Sequence, residues 1–165
     1  MKASRIIPAV LVVLSALVSP AVAMPSDDIL KAGCGTAQSV LTQLEKNDTA
    51  LRINRGRIYN ELSDLFYAMN ARVAVNRLSS AKLAAITDDY SKTLQEFRTN
   101  YGKYDTKVTE LMNMECTSRP EDFYNSVVGL RDERIVLQNQ VSLLDNLMQN
   151  YVSEFKMVRE SANAK

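Results

Sequence analysis

Residues 120–160 read PEDFYNSVVGLRDERIVLQNQVSLLDNLMQNYVSEFKMVRE, and the apolar positions in that stretch decide the fold. Phe123, Val127, Leu130, Leu137, Val141, Leu144, Met148, Tyr151, Phe155 and Val158 recur at alternating steps of three and four, interrupted only at Arg134. That spacing sets every one of these side chains on one stripe of an α-helix, whereas a strand would need a period of two. A helix of about 42 residues, on the order of 60 Å long, cannot bury such a stripe by itself. It requires long partners.

The rest of the chain supplies them. Upstream, Leu83, Ile86, Tyr90, Leu94, Phe97, Tyr101, Tyr104, Val108 and Leu111 form a second stripe. Earlier still, Leu30, Cys34, Ala37, Leu41 and Leu44 begin a third, which continues through Leu51, Ile58, Leu62, Leu65 and Met69 and is broken by Asp48 and Arg55. Beside it run Tyr59, Phe66 and Val73, widening the apolar face of the first helix so that it serves two neighbours. Helices are therefore predicted over residues 27–75, 80–115 and 119–160, with a frayed tail at 161–165. Pro25 and Pro120 stand at two of the helix starts and no proline falls between Ser26 and Arg119. Ser26, followed by Asp27 and Asp28, is the expected first N-cap. Ser118-Arg119-Pro120-Glu121 reads as a capping box. The first join carries neither Gly nor Pro and is placed at Asn76–Ser80, where Ser79 or Ser80 can cap the second helix. Short joins between long helices give antiparallel neighbours. The expectation is an all-α, elongated up-down-up three-helix bundle of coiled-coil type, one domain from about residue 26 to 160.

Composition narrows what such a bundle can do. The chain has 165 residues, 20 Lys and Arg against 19 Asp and Glu, and no His. Without His there is no Ser-His-Asp triad, no Cys-His pair and no His-containing metal site. Near-neutral charge argues against nucleic acid as a partner, which normally selects a basic face. Asp88-Asp89 and Glu121-Asp122 are isolated pairs outside any calcium-loop pattern, so neither metal nor cofactor is expected.

The N-terminus reads as an export signal. Lys2 and Arg5 precede an apolar run from Ile6 to Val18, and Ser19-Pro20-Ala21-Val22-Ala23 ends in a small-x-small pattern, which places cleavage between Ala23 and Met24. The competing reading is an uncleaved anchor over residues 6–25, a stretch of 20 uncharged residues. A lipid anchor on Cys34 fits poorly, because Lys31 stands where a lipobox is apolar. Cleavage removes Lys2 and Arg5 and no acid, leaving 18 basic and 19 acidic groups.

Two cysteines test the topology. An antiparallel hairpin turning at Asn76–Ser80 brings Cys34 and Cys116 to one end of the bundle, within about one helical turn of each other. An exported chain with an even cysteine count permits a bridge between them. The same levelling sets Arg55 of the first helix beside Arg134 of the third, with Gly56, Gly102, Asn100, Tyr101 and Tyr104 close by. Two readings of this level stay open. One is a buried polar layer that fixes helix register, its arginines satisfied by Asp48, Asp132 or Glu133 and its glycines permitting close approach. The other is a mid-bundle notch for a carboxylate or phosphate. Arg52, Arg55 and Arg57 also form a basic cluster, read as a solvated face.

The functional expectation is an exported, non-enzymatic bundle that presents helix faces to a protein partner or to itself, located in the periplasm, cell envelope or extracellular space. Met69, Met112, Met114, Met148 and Met157 suit adaptable apolar contacts of that kind. The alternative is a small-ligand carrier using the notch.

Overall fold

The computed structural model describes residues 26–78 and 80–164, apart from the side chains of residues 50–52. The predicted export signal, its expected cleavage between Ala23 and Met24 and the alternative anchor over 6–25 lie outside the described residues. Three helices, α1 (Asp27–Val75), α2 (Ala81–Met112) and α3 (Pro120–Asn163), pack up, down and up, and no strand occurs among the described residues. Their lengths are about 70, 50 and 65 Å. α3 continues to Asn163, so most of the tail predicted to fray is helical.

Each join has a local cause. α1 ends at Val75, and Arg77 takes the left-handed conformation with φ 57°. The Arg77 N–H donates to the Ala74 carbonyl at 3.0 Å and the Leu78 N–H to the Val73 carbonyl at 3.0 Å. Those two bonds close a Schellman turn, with Leu78 folded back against the core beside buried Val73. α2 then starts at Ser80, whose Oγ accepts from the Leu83 N–H at 3.2 Å and donates to Glu154 Oε1 at 3.1 Å. With Lys82 Nζ 2.9 Å from Glu154, one serine both caps α2 and ties it to α3.

Two caps depart from expectation. Ser26 holds the N-cap position of α1, but its side chain makes no cap bond. The predicted capping box at Ser118 does not form: Pro120 opens α3, which makes Arg119 the N-cap, and Ser118 Oγ donates instead to the Glu115 carbonyl at 3.0 Å. Proline is suited to the first helical position, and its start shifts the cap one residue past the serine. Glu121 and Asp122 keep their places near the positive end of the α3 dipole.

The core is aromatic on all three helices. Phe66 of α1 lies between Tyr151 of α3, stacked at 3.9 Å between ring centroids, and Tyr90 of α2, edge-on at 5.1 Å. This arrangement decides which stripe of α1 turns inward. Cys34 and Leu41 of the long seam are buried, but in the second half the buried line is Tyr59, Phe66 and Val73, while Ile58 and Leu65 are left 47% and 50% exposed. An aromatic ring buries more apolar area than Ile or Leu and gains from ring–ring contact, so the aromatic line wins the interior. α2 and α3 share the most extensive interface, and α1 and α3 the least.

Candidate functional site

The bridge forms as the hairpin requires. Cys34 and Cys116 are disulfide-bonded with Cα atoms 5.7 Å apart, both buried, and Gln38 Nε2 donates to the Met114 carbonyl at 3.2 Å close by. This cross-link fastens the start of α1 to the chain just beyond α2.

Midway along the bundle, Asp48, Arg55, Tyr101, Tyr104 and Arg134 do surround one opening, of about 460 Å³, whose apolar wall includes Phe97, Leu137 and Val141. Asn100 does not line it. The Asp48 carboxylate is the centre of the polar group. Tyr104 donates to Oδ2 at 2.5 Å and Arg134 Nη2 approaches Oδ1 at 3.3 Å, so both oxygens are engaged, with the Asp48 side chain only 13% exposed. Burial, and then the bond to Asp48, push the Tyr104 hydroxyl far above its ordinary range and keep it a neutral donor. Burial likewise raises Tyr59, with the Asp145 carboxylate adding to the rise and the Arg55 charge opposing it.

The expected polar layer forms around Asp48, with Arg134 paired to it as one of the expected partnerships, but the arginines are not buried. Arg55 is exposed and the Arg134 side chain is 45% exposed, so both stand at the rim, Arg134 with its guanidinium against the Asp48 carboxylate. Long arginine stems allow this: the methylenes cover apolar surface while the guanidinium leaves the seam. Glu133, named as a partner for these arginines, pairs with Lys107 of α2 instead, and Asp132 is exposed. Nor do the glycines mark a close approach, since a Cβ built on Gly56 or Gly102 meets nothing within 4 Å. The Arg52 side chain lies outside the described residues.

A second polar layer across all three helices was missed in the sequence. Asn70 Nδ2 donates to Thr87 Oγ1 at 2.9 Å, and the Tyr151 hydroxyl lies 2.8 Å from Asn70 Oδ1 and 3.2 Å from the Phe66 carbonyl. Next to it, Ser91 Oγ is 3.3 Å from Ser63 Oγ and 3.1 Å from the Tyr67 hydroxyl. The available signal was the position of Asn70, four residues after Phe66 and three before Val73 on the aromatic line.

The mid-bundle opening is one of three along the α1–α3 face. Toward the disulfide, Ile29, Ala37, Val127 and Arg131 border a second, of about 220 Å³. Toward the far end, Leu65, Met69, Arg72, Phe155 and Arg159 border a third, of about 330 Å³. Each has apolar walls and an arginine at its border, and the row of three along the α1–α3 seam, interrupted where Phe66 meets Tyr151, makes up the α1–α3 crevice. Among the described residues no helix is long and apolar enough to cross a membrane, and no group of three or more His, Cys, Asp or Glu side chains is placed to hold a metal ion. The chain matches no protein-family model, no curated protein and no solved structure.

Proposed function

We propose that this is an exported, non-enzymatic helical bundle that acts by presenting a helix face to a protein partner or to a second copy of itself. The observation that carries this reading is the distribution of uncovered apolar side chains. The large apolar side chains left exposed among the described residues lie on α1 and α3, including Ile58 and Leu65 of α1, half exposed, and Val152 of α3, 60% exposed, while α2 exposes none. Apolar groups of this size left uncovered on two neighbouring helices commonly mark an interaction surface. Export is supported by the signal-like residues 1–23 and by the Cys34–Cys116 bond, which persists in oxidising compartments.

A small anionic ligand in the mid-bundle opening is supported less well. Arg134 is already engaged with Asp48, and Arg55 is exposed at the rim rather than turned inward. The opening reads better as the middle of the α1–α3 crevice than as a separate pocket.

Light scattering on the eluting protein, combined with affinity capture from envelope and secreted fractions, tests the interaction reading. Self-association or a captured partner should be lost in the Ile58→Asp/Leu65→Asp variant, with helix content unchanged. A strict monomer that captures nothing, or capture that ignores the substitutions, would overturn it.

A further inference from the structure

We infer that the α1–α3 crevice receives an amphipathic helix whose apolar face is flanked by carboxylates. This rests on the reading of the bundle as a protein-interaction module and names the chemistry of its partner.

Shape comes first. α1 and α3 touch at the Phe66–Tyr151 stack and at Asp48–Arg134, and the three openings lie along the seam on either side of these contacts, so a convex rod about 10 Å across laid over the seam would cover all three as the fourth member of a helical bundle. The crevice is also long. From Arg131 at one end to Arg159 at the other, α3 advances by 28 residues, or about 42 Å. That exceeds the roughly 30 Å hydrocarbon thickness of a whole bilayer, so a single acyl chain would leave much of it uncovered. A flat membrane surface would touch only the rims.

Charge then selects the partner. The walls at the three levels contribute Arg131, then Arg55 and Arg134, then Arg72 and Arg159, whereas Asp48 is the one carboxylate among them. Asp48 already accepts from Tyr104 and Arg134. Asp145 of α3 is a second acid near the mid-level, acting on Tyr59 and Tyr90. Arginine still predominates along this crevice although the whole chain holds 20 basic and 19 acidic groups. Guanidinium forks pair with carboxylates in defined geometry, and flanking charges of this kind set partner choice in helix packing. A second copy docking isologously through the same crevice would place arginines against arginines, which disfavours self-association there.

The test uses two synthetic helices of about 28 residues with Leu at the a and d positions, one carrying Glu at e and g, the other Lys. Like charges at e and g keep each peptide from pairing with itself. Fluorescence anisotropy against the exported, disulfide-bonded protein should show the Glu peptide binding at least about tenfold more tightly than the Lys peptide. Arg131→Glu/Arg159→Glu, at two exposed positions, should reverse that order, and Arg72→Glu should weaken the Glu peptide alone. Equal binding of the two peptides, or preference for Lys, would overturn the inference. So would binding to vesicles containing phosphatidylserine with no binding of either peptide. Failure of both peptides while Ile58→Asp/Leu65→Asp still abolishes partner capture would refute the acidic helix and leave the interaction reading standing.

Discussion

Replacing both Cys34 and Cys116 by Ser removes the disulfide that fastens the start of α1 to the chain beyond α2, and its cost follows from the loop it closes. The two residues are 82 apart in sequence, and the chain-entropy relation for a loop of that size gives about 4.5 kcal/mol. For a chain of this length the entropy of unfolding is about 0.3 kcal/mol per degree, so the melting temperature should fall by about 15 °C. The loss should also be uneven. On α1 the buried apolar residues are Cys34 and Leu41 in the first half and Tyr59, Phe66 and Val73 in the second, so the disulfide end has little else to hold it. Thermal melts by circular dichroism would measure the first effect, and amide hydrogen exchange on oxidised wild type and the variant would measure the second. Protection should drop across residues 27–48 and change little at Phe66 and Val73, where aromatic stacking persists. A fall of less than about 4 °C, near what a single ordinary contact is worth, or uniform loss of protection along α1, would refute the reasoning.

Other consequences are local. Arg77→Gly should stabilise the fold by about 0.5–1 kcal/mol, because φ 57° costs a non-glycine residue about 1–2 kcal/mol and glycine returns part of that in chain entropy; a lower midpoint in urea would contradict it. Tyr151→Phe leaves Asn70 Oδ1 and the Phe66 carbonyl without the hydroxyl between them and should cost about 1–2 kcal/mol by the same assay. The hydrogen bond from Lys82 is the largest influence on the Glu154 carboxyl; burial opposes it, Ser80 and the Lys82 charge reinforce it, and the net effect holds the carboxyl below its ordinary value. A carboxyl depressed in the folded state stabilises above its unfolded pKa and loses that contribution as pH falls through the folded one. Melts taken from neutral pH into the acid range should therefore show wild type losing its advantage over Glu154→Gln, and a constant difference would count against the pairing.

Much of this was legible because a repeat averaging 3.5 residues is difficult to produce except with packed helices. The stripes of α2 and α3, the turn at Asn76–Ser80 and the closeness of Cys34 to Cys116 all follow from it. What stayed hidden depended on choices between neighbours. Leu65 and Phe66 are adjacent and both apolar, and only Tyr90 and Tyr151 on the other helices decide that Phe66 turns inward. Arg55 and Arg134 stand at seam positions, yet a long flexible stem lets the charge leave the seam, so position alone does not imply burial. The Schellman turn was unreadable because Arg77 occupies the place where glycine usually announces it. At Ser118 the capping signature was present, and Pro120 displaced it by opening the helix itself.

Whether the bundle meets a partner through its α1–α3 face, as proposed, is tested most directly by site-specific photo-crosslinking in the source organism. A photoreactive residue at Leu65, on the open face, would be compared with one at Lys103, on the exposed surface of α2. The account predicts a covalent protein adduct from position 65 that disappears on introducing Ile58→Asp, and none from position 103. Adducts from position 103 alone, or equal yields from both, would contradict it.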